Sequence, residues 1–588
     1  MNFLKKITKL LTTVTTRTIY FYSLLTGIIS GVVAVLFYKA IHFVIELISH
    51  NISDVSSPTF WHRLGFFLMP VLGGLIAGLV IRYFTPEARG GGTEVFLDSF
   101  HNKAGVIRKR VSVGKFIASV ATLGTGGSGG KEGPMLLIGS SLGALLGRFI
   151  KMGARARRTL LLAGAAGGLG AIFRTPLGGA ITAVEVLYKE DFESDALIPC
   201  IISSVTAYTT FGIFLGFGHM LTFSAKPFGS PIQLLFYIGL ALICTFMAYL
   251  FVNAYHVIGE HVFNKLPIPK VLLPAVGGVC IGLVGLFVPE SIGGGLYVIQ
   301  DAINGVYSAD WIFACKFFLL LALLKMFTTS FTIQSGGSAG LLIPAFFIGA
   351  MIGGLVGTVC HHFFPQYITS VTPFIIVGMA SFFAASTNAS LGALVMVTEL
   401  TGGYELLPAL MVVAVISLIF SHKWSVYKNQ ATNKFYSKAH LWDMNPAILK
   451  NIQISAAFSS YHTETIIDHK THLSEIRALA HKHHDTEFLV IDENKNLLGI
   501  LTLHDLDFNE VENNPDLNDL LVAEDMIHGE PHYITPEDSL FKAISFVTNT
   551  DFANIPVVNK KENSMELLGY LTRKDILKYY NELGTNKN

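Results

Sequence analysis

The sequence predicts an α-helical, multi-pass membrane protein built from two related halves, followed by a small soluble α/β module. Three observations predict it. Of 588 residues, 51% are hydrophobic and only 14% charged, against roughly 25% charged in an ordinary globular chain. The apolar residues and the glycines are concentrated in one block, roughly 20–430. Of 56 glycines, only Gly499, Gly529, Gly569 and Gly584 lie beyond residue 440. The apolar block also repeats itself. Between 115 and 147, twelve residues are identical to those 210 positions later, among them Lys115/Lys325, Ser128/Ser338, Gly130/Gly340 and Pro134/Pro344.

The elements follow in order. Residues 1–19 carry Lys5, Lys6, Lys9 and Arg17. Basic clusters of this kind mark the cytoplasmic side of a membrane protein. Residues 21–49 form a nearly uncharged run, longer than the roughly 20 residues a bilayer core requires. It is too long for a signal peptide, and many similar segments follow it. Further apolar runs cover 66–84, 159–188, 232–258, 270–289, 309–333 and 372–398, and shorter ones are broken by Gly and Pro. Half-spans of that kind need protein or a watery cavity to satisfy their backbone, a pattern of transporters and channels. The reading divides the block into a first half, 20–220, and a second half, 221–430, then a linker, 431–460. Cys200, Cys244, Cys280, Cys315 and Cys360 sit in apolar stretches without CxxC spacing, as buried hydrophobes rather than disulfides or metal ligands. Net charge is +1, so nothing points to a nucleic-acid partner.

The repeated segment reads GGSxGxxxPxxxIGxxxGxLxG. Glycine permits tight turns and close ligand approach, and proline favours the first helical turn. Small residues every fourth position let membrane helices pack closely. Each copy therefore reads as a loop entering a buried helix N-terminus. Such a terminus offers unpaired N–H groups and a partial positive charge, which suits an anion without a fixed cation. The competing reading is helix packing alone. Copy one also carries Glu132 where copy two has Leu342. An ionisable residue in a membrane interior marks a functional position. A carboxylate there can occupy an anion's place and leave it when protonated. The stretch is not a phosphate-binding P-loop, because Thr125 and Glu132 stand where that motif needs Gly and Ser or Thr.

At Gly130-Lys-Glu-Gly-Pro134 and Gly337-Ser-Ala-Gly-Leu-Leu-Ile-Pro344 the chain resembles the CLC chloride channels and chloride/proton antiporters. The resemblance covers most of 20–430. It implies two inverted, pseudo-symmetric halves and a homodimer with a separate pore in each subunit. It places the chain in a membrane, the cell (inner) membrane, with N-terminus and tail cytoplasmic. It implies that Lys131, Glu132 and Gly133 line an outer chloride site and that Glu132 gates. Leu341, Leu342 and Tyr427 then serve a central chloride site. Two positions depart from the family. Gly91, in the segment 86–94, stands where a selectivity serine often sits, which removes a hydroxyl donor. Val186 stands at the inner proton-transfer glutamate of antiporters, and a valine carries no proton. Passive chloride flux is therefore the favoured expectation, with chloride/proton exchange as the alternative. Glu185, beside it, and its repeat counterpart Glu399 read as structural.

The tail repeats at an offset of 70, Leu497–Asp505 matching Leu567–Asp575. It resembles a tandem pair of CBS domains, 461–515 and 516–582. That resemblance implies an adenine nucleotide as ligand, with Thr502, Asp505, Thr572 and Asp575 as the contacts. The competing role for these residues is capping the next helix. No other cofactor is required. An intramembrane metalloprotease lacks its HExxH set, so no enzyme is expected. A CBS-linked divalent-cation transporter lacks clustered intramembrane carboxylates.

Overall fold

The computed structural model describes residues 16–52, 60–223, 231–307, 310–440, 449–458, 461–483, 487–502, 521–527, 531, 533–549, 554–561, 564–572, 575–576 and 579. The chain forms two units, Met1–Ala439 and His440–Asn588.

Among the described residues the first unit is helical, and its α-helices fall into two series of eight. The first series is α1 (Thr16–Ile52), α2 (Phe60–Tyr83), α3 (Thr93–His101), α4 (Arg110–Gly124), α5 (Glu132–Phe149), α6 (Ala154–Phe173), α7 (Pro176–Glu185) and α8 (Leu197–Leu215). The second is α9 (Gln233–Val257), α10 (Leu273–Phe287), α11 (Leu296–Ile303), α12 (Trp311–Gln334), α13 (Leu342–Phe363), α14 (Thr372–Thr387), α15 (Ser390–Thr401) and α16 (Leu407–Ser421). Among the described residues, seven helices are long and apolar enough to cross a membrane. The rest are shorter and depend on their neighbours. Glycine decides how closely these neighbours pack. A Cβ on Gly139 of α5 would strike the Gly164 carbonyl of α6, and one on Gly349 of α13 would strike that of Gly378 on α14. The small residues at four-residue spacing thus bring helix backbones into contact. Helices α5 and α13 lie at the centre, with Glu132–Ser141 and Leu342–Gly354 buried.

The second unit holds two small α/β modules. In the first, β1 (Ile466–Asp468) runs parallel to β2 (Glu487–Ile491), and β2 runs antiparallel to β3 (Leu497–Thr502). Helix α17 (Leu473–His483) joins β1 to β2. In the second, α18 (Leu540–Asn549) precedes an antiparallel pair, β4 (Asn554–Lys561) and β5 (Ser564–Thr572). Both hairpins carry a register shift at the same place, after Val490 and after Val557. The repeat at offset 70 is thus a structural repeat. Leu489, Leu497, Val558 and Leu567 pack the two hairpins together.

Candidate anion site

The two copies of the repeat meet backbone to backbone. Gly130 N–H donates to the Gly340 carbonyl at 2.9 Å, and Gly340 N–H donates back to Gly130 at 2.8 Å. The pairing is antiparallel, as a local twofold between inverted halves requires. The loops are bolted reciprocally. Thr332 Oγ1 accepts from Ser128 N–H at 3.0 Å, and Thr122 Oγ1 accepts from Ser338 N–H at 3.1 Å. This junction starts α5 and α13 from neighbouring loops and converges their N-termini, where unpaired N–H groups favour an anion.

The anion found there is the protein's own. Glu132 is buried, with 2% of its surface exposed. Its Oε1 accepts from Leu342 N–H at 2.6 Å and Ile343 N–H at 3.2 Å, while Oε2 has no hydrogen-bond partner among the described residues. Gly130 and Gly340 make room for it, since a Cβ on either would strike the carboxylate. The Glu132 carboxylate bonds the N–H of Leu342, one of the groups expected to serve the central chloride. The donor beside it is Ile343, which the sequence reading did not single out, and not Leu341. Gly133 packs against Gly91 and Gly340, so residues from three expected site segments are in contact. The Lys131 ammonium lies 4.4 Å from the centre of the Tyr38 ring, a cation–π contact.

Two buried lysines support the site. Lys115 donates to the carbonyls of Ala88 (3.1 Å) and Gly90 (2.5 Å). Lys325 donates to Ser291 (3.3 Å), Ile292 (3.4 Å) and Gly293 (2.7 Å). The two loops they hold are themselves copies, Pro86-Glu-Ala-Arg-Gly-Gly-Gly92 and Pro289-Glu-Ser-Ile-Gly-Gly-Gly295. Gly90 and Gly293 have φ of 70° and 62°, and Gly92 and Gly295 of 94° and 80°, so each loop needs glycine at both positions.

Each loop lines a cavity. One, of about 360 Å³, is bordered by Gly91, Thr93, Glu94, His256, Leu341 and Tyr427. The other, of about 480 Å³, is bordered by Lys131, His42, Gly293, Gly295 and Ile343. Gly91 therefore sits where a selectivity residue could act. Tyr427 is buried, and its hydroxyl faces the side chain of Thr93. Thr93 brings a hydroxyl to the neighbourhood that Gly91 leaves without one. The offset of 203 between the two loops is the signal that would have singled out this segment.

Val186 is buried at the end of α7, and its carbonyl accepts from Gln430 Nε2 at 3.1 Å. It does not border the Tyr427 cavity. Glu185 caps α15, accepting from Leu391 N–H (2.9 Å) and Gly392 N–H (2.6 Å). Glu399 caps α7 in return, from Leu177 (3.2 Å) and Gly178 (2.7 Å). These two carboxylates tie the halves together.

In the tail, Asp575 Oδ2 accepts from Thr572 N–H at 2.8 Å and Thr572 Oγ1 at 2.6 Å, and lies 3.1 Å from His462 Nε2. This is a capping arrangement. Thr502 ends β3, and Asp505 lies outside the described residues. No cluster of His, Cys, Asp or Glu that could hold a metal occurs among the described residues.

The family model described as voltage gated chloride channel matches residues 73–422. The model described as CBS domain matches 463–508 and 522–582. The H(+)/Cl(-) exchange transporter ClcA of Cronobacter sakazakii is 30% identical over 67% of this chain and 84% of its own length. A putative chloride channel protein ClcB-like of Ralstonia nicotianae is 29% identical over 62% and 83%. Among solved structures, a slow cyanobacterial Cl-/H+ antiporter shares the fold with a TM-score of 0.63 at 21% identity, over 69% of this chain and 94% of that one. A eukaryotic CLC transporter does so with 0.63 at 19% identity, over 97% and 98%.

Proposed function

Since the chain belongs to the voltage gated chloride channel family and ends in a pair of CBS domains, we propose that this integral membrane protein exchanges chloride for protons, with Glu132 as the group that both anion and proton displace. The observation that carries the reading is the Glu132 carboxylate on the N–H groups of Leu342 and Ile343. A carboxylate and a chloride compete for such donors. Protonation removes the charge that holds Glu132 there and frees the donors for chloride. Chloride arrival in turn favours the proton on Glu132, and the proton's departure lets the carboxylate return to the same donors. Lys131, Gly133, Leu341, Leu342, Gly91 and Tyr427 contribute the surrounding donors and walls.

The sequence favoured passive flux because Val186 cannot carry a proton. The Cronobacter relative, named as an exchange transporter, supports exchange instead. Passive flux remains the second reading, and Val186 is the observation behind it. A homodimer is the assembly we infer, from the family resemblance. An adenine nucleotide at the CBS pair is a further part of the proposal, and the capping role of Thr572 and Asp575 weighs against those two as contacts. The test is proton uptake by proteoliposomes under a chloride gradient with the voltage clamped. Uptake against the proton gradient supports exchange, and its absence supports a channel.

A further inference from the structure

Exchange is served by a titratable group that passes protons between the water of the Tyr427 cavity and Glu132. Val186 offers none and does not border that cavity. Resting on the exchange reading, we infer that Glu94 is the proton-loading residue on that side. Glu94 stands in the first turn of α3, directly after Thr93. Its carboxylate oxygens accept from the N–H groups of Lys428 (2.6 Å) and Asn429 (3.0 Å), the two residues that follow Tyr427. It is half-buried and borders the cavity together with Tyr427 and Leu341. Leu341 directly precedes the residue whose N–H holds Glu132. The cavity that Glu94 borders therefore reaches Leu341, one residue short of the N–H that holds the Glu132 carboxylate. Both carboxylates lie within Coulombic reach of the Tyr427 hydroxyl.

The other ionisable groups around this cavity serve less well. The Lys428 ammonium is paired with the Glu260 carboxylate. His256 Nε2 lies 3.1 Å from the Ser425 carbonyl. Asp98, one turn further along α3, is paired with Lys103 at 2.7 Å. Tyr255 and Tyr427 are buried phenols, weak acids with an ordinary pKa of about 10, which makes them poor proton carriers near neutrality. Glu94 thus holds the cavity-lining carboxylate bonded to the backbone directly after Tyr427. The step balances simply. Glu94 takes a proton from cavity water, forming one O–H bond. It passes that proton through cavity water to Glu132, returns to the carboxylate and leaves Glu132 neutral.

The experiment measures protons moved per chloride in proteoliposomes at clamped voltage, for wild type, Glu94→Gln, Glu94→Ser and Glu94→Asp. The two neutral variants are read in parallel, so the outcome does not rest on the folding of one. We expect chloride flux to persist in them with the proton-to-chloride ratio reduced tenfold or more, and Asp to restore part of it. A purely structural role for Glu94 would change flux and leave the ratio alone. A wild-type ratio in either neutral variant overturns the inference and leaves exchange standing. A wild type that moves no protons overturns both.

Discussion

Glu132 is a fixed anion with a removable charge, seated on donors that a mobile anion needs. The Glu132→Gln variant keeps the shape and loses the charge. Transport by the wild type should rise as pH falls on the side that reaches Glu132, because protonation releases the carboxylate from Leu342 and Ile343. The variant should lose most of that response, which anion efflux at a series of pH values will read. Anion preference belongs to the next residues along. A Cβ on Gly91 would meet only the Ala339 carbonyl, at 3.7 Å, so Gly91→Ser adds a hydroxyl without strain. It should raise the preference for chloride over nitrate. Thr93→Val removes the hydroxyl facing Tyr427. A neutral hydrogen bond of this kind contributes about 1 kcal/mol, so losing the partner that orients Tyr427 should weaken chloride binding roughly fivefold, as titration calorimetry can measure. Glu132 was legible in the sequence because it breaks the repeat where Leu342 stands. The destination of its carboxylate was not, since it reaches across 210 residues. Thr93 lay hidden because its importance comes from Tyr427, far away in the chain.

Among the elements, the paired loops and their lysines carry the precision of the site. Lys325→Met would remove a buried donor shared by three carbonyls, of which Ser291 keeps Thr328 Oγ1 and Gly293 keeps the Gly129 N–H. It should destabilise the protein by about 2 kcal/mol or more. Lys103→Met, at an exposed ion pair, should change stability by less than about 1 kcal/mol. Thermal unfolding in detergent compares the two. Glu185→Gln weakens the cap on α15. It should lower the unfolding temperature and leave the proton-to-chloride ratio in place, whereas a relay role would lower the ratio. Long apolar runs such as 21–49 and the repeat at offset 210 were readable from sequence. The short helices α3, α7, α11 and α15 were not, because hydropathy sees length and these span only 8 to 12 residues. The loops at 86–92 and 289–295 escaped for another reason. They repeat at offset 203 rather than 210, so a constant register passes over them.

At the scale of the whole molecule, duplication explains the site. Two inverted halves place two helix N-termini, two glycine loops and two buried lysines around one junction. A single substitution in that symmetric frame, Glu132 against Leu342, gives it a titratable anion. The halves were legible in the repeat, while the use of the frame for exchange or for passive flow was not, because Val186 alone argued for flow. The most direct test is proton movement in proteoliposomes under an imposed chloride gradient, with voltage clamped, for wild type and Glu132→Gln side by side. The account predicts that the wild type drives protons against their gradient at a fixed ratio to chloride, and that Glu132→Gln carries chloride with no coupled protons. Chloride flux without proton movement in the wild type, or undiminished coupling in Glu132→Gln, would contradict it.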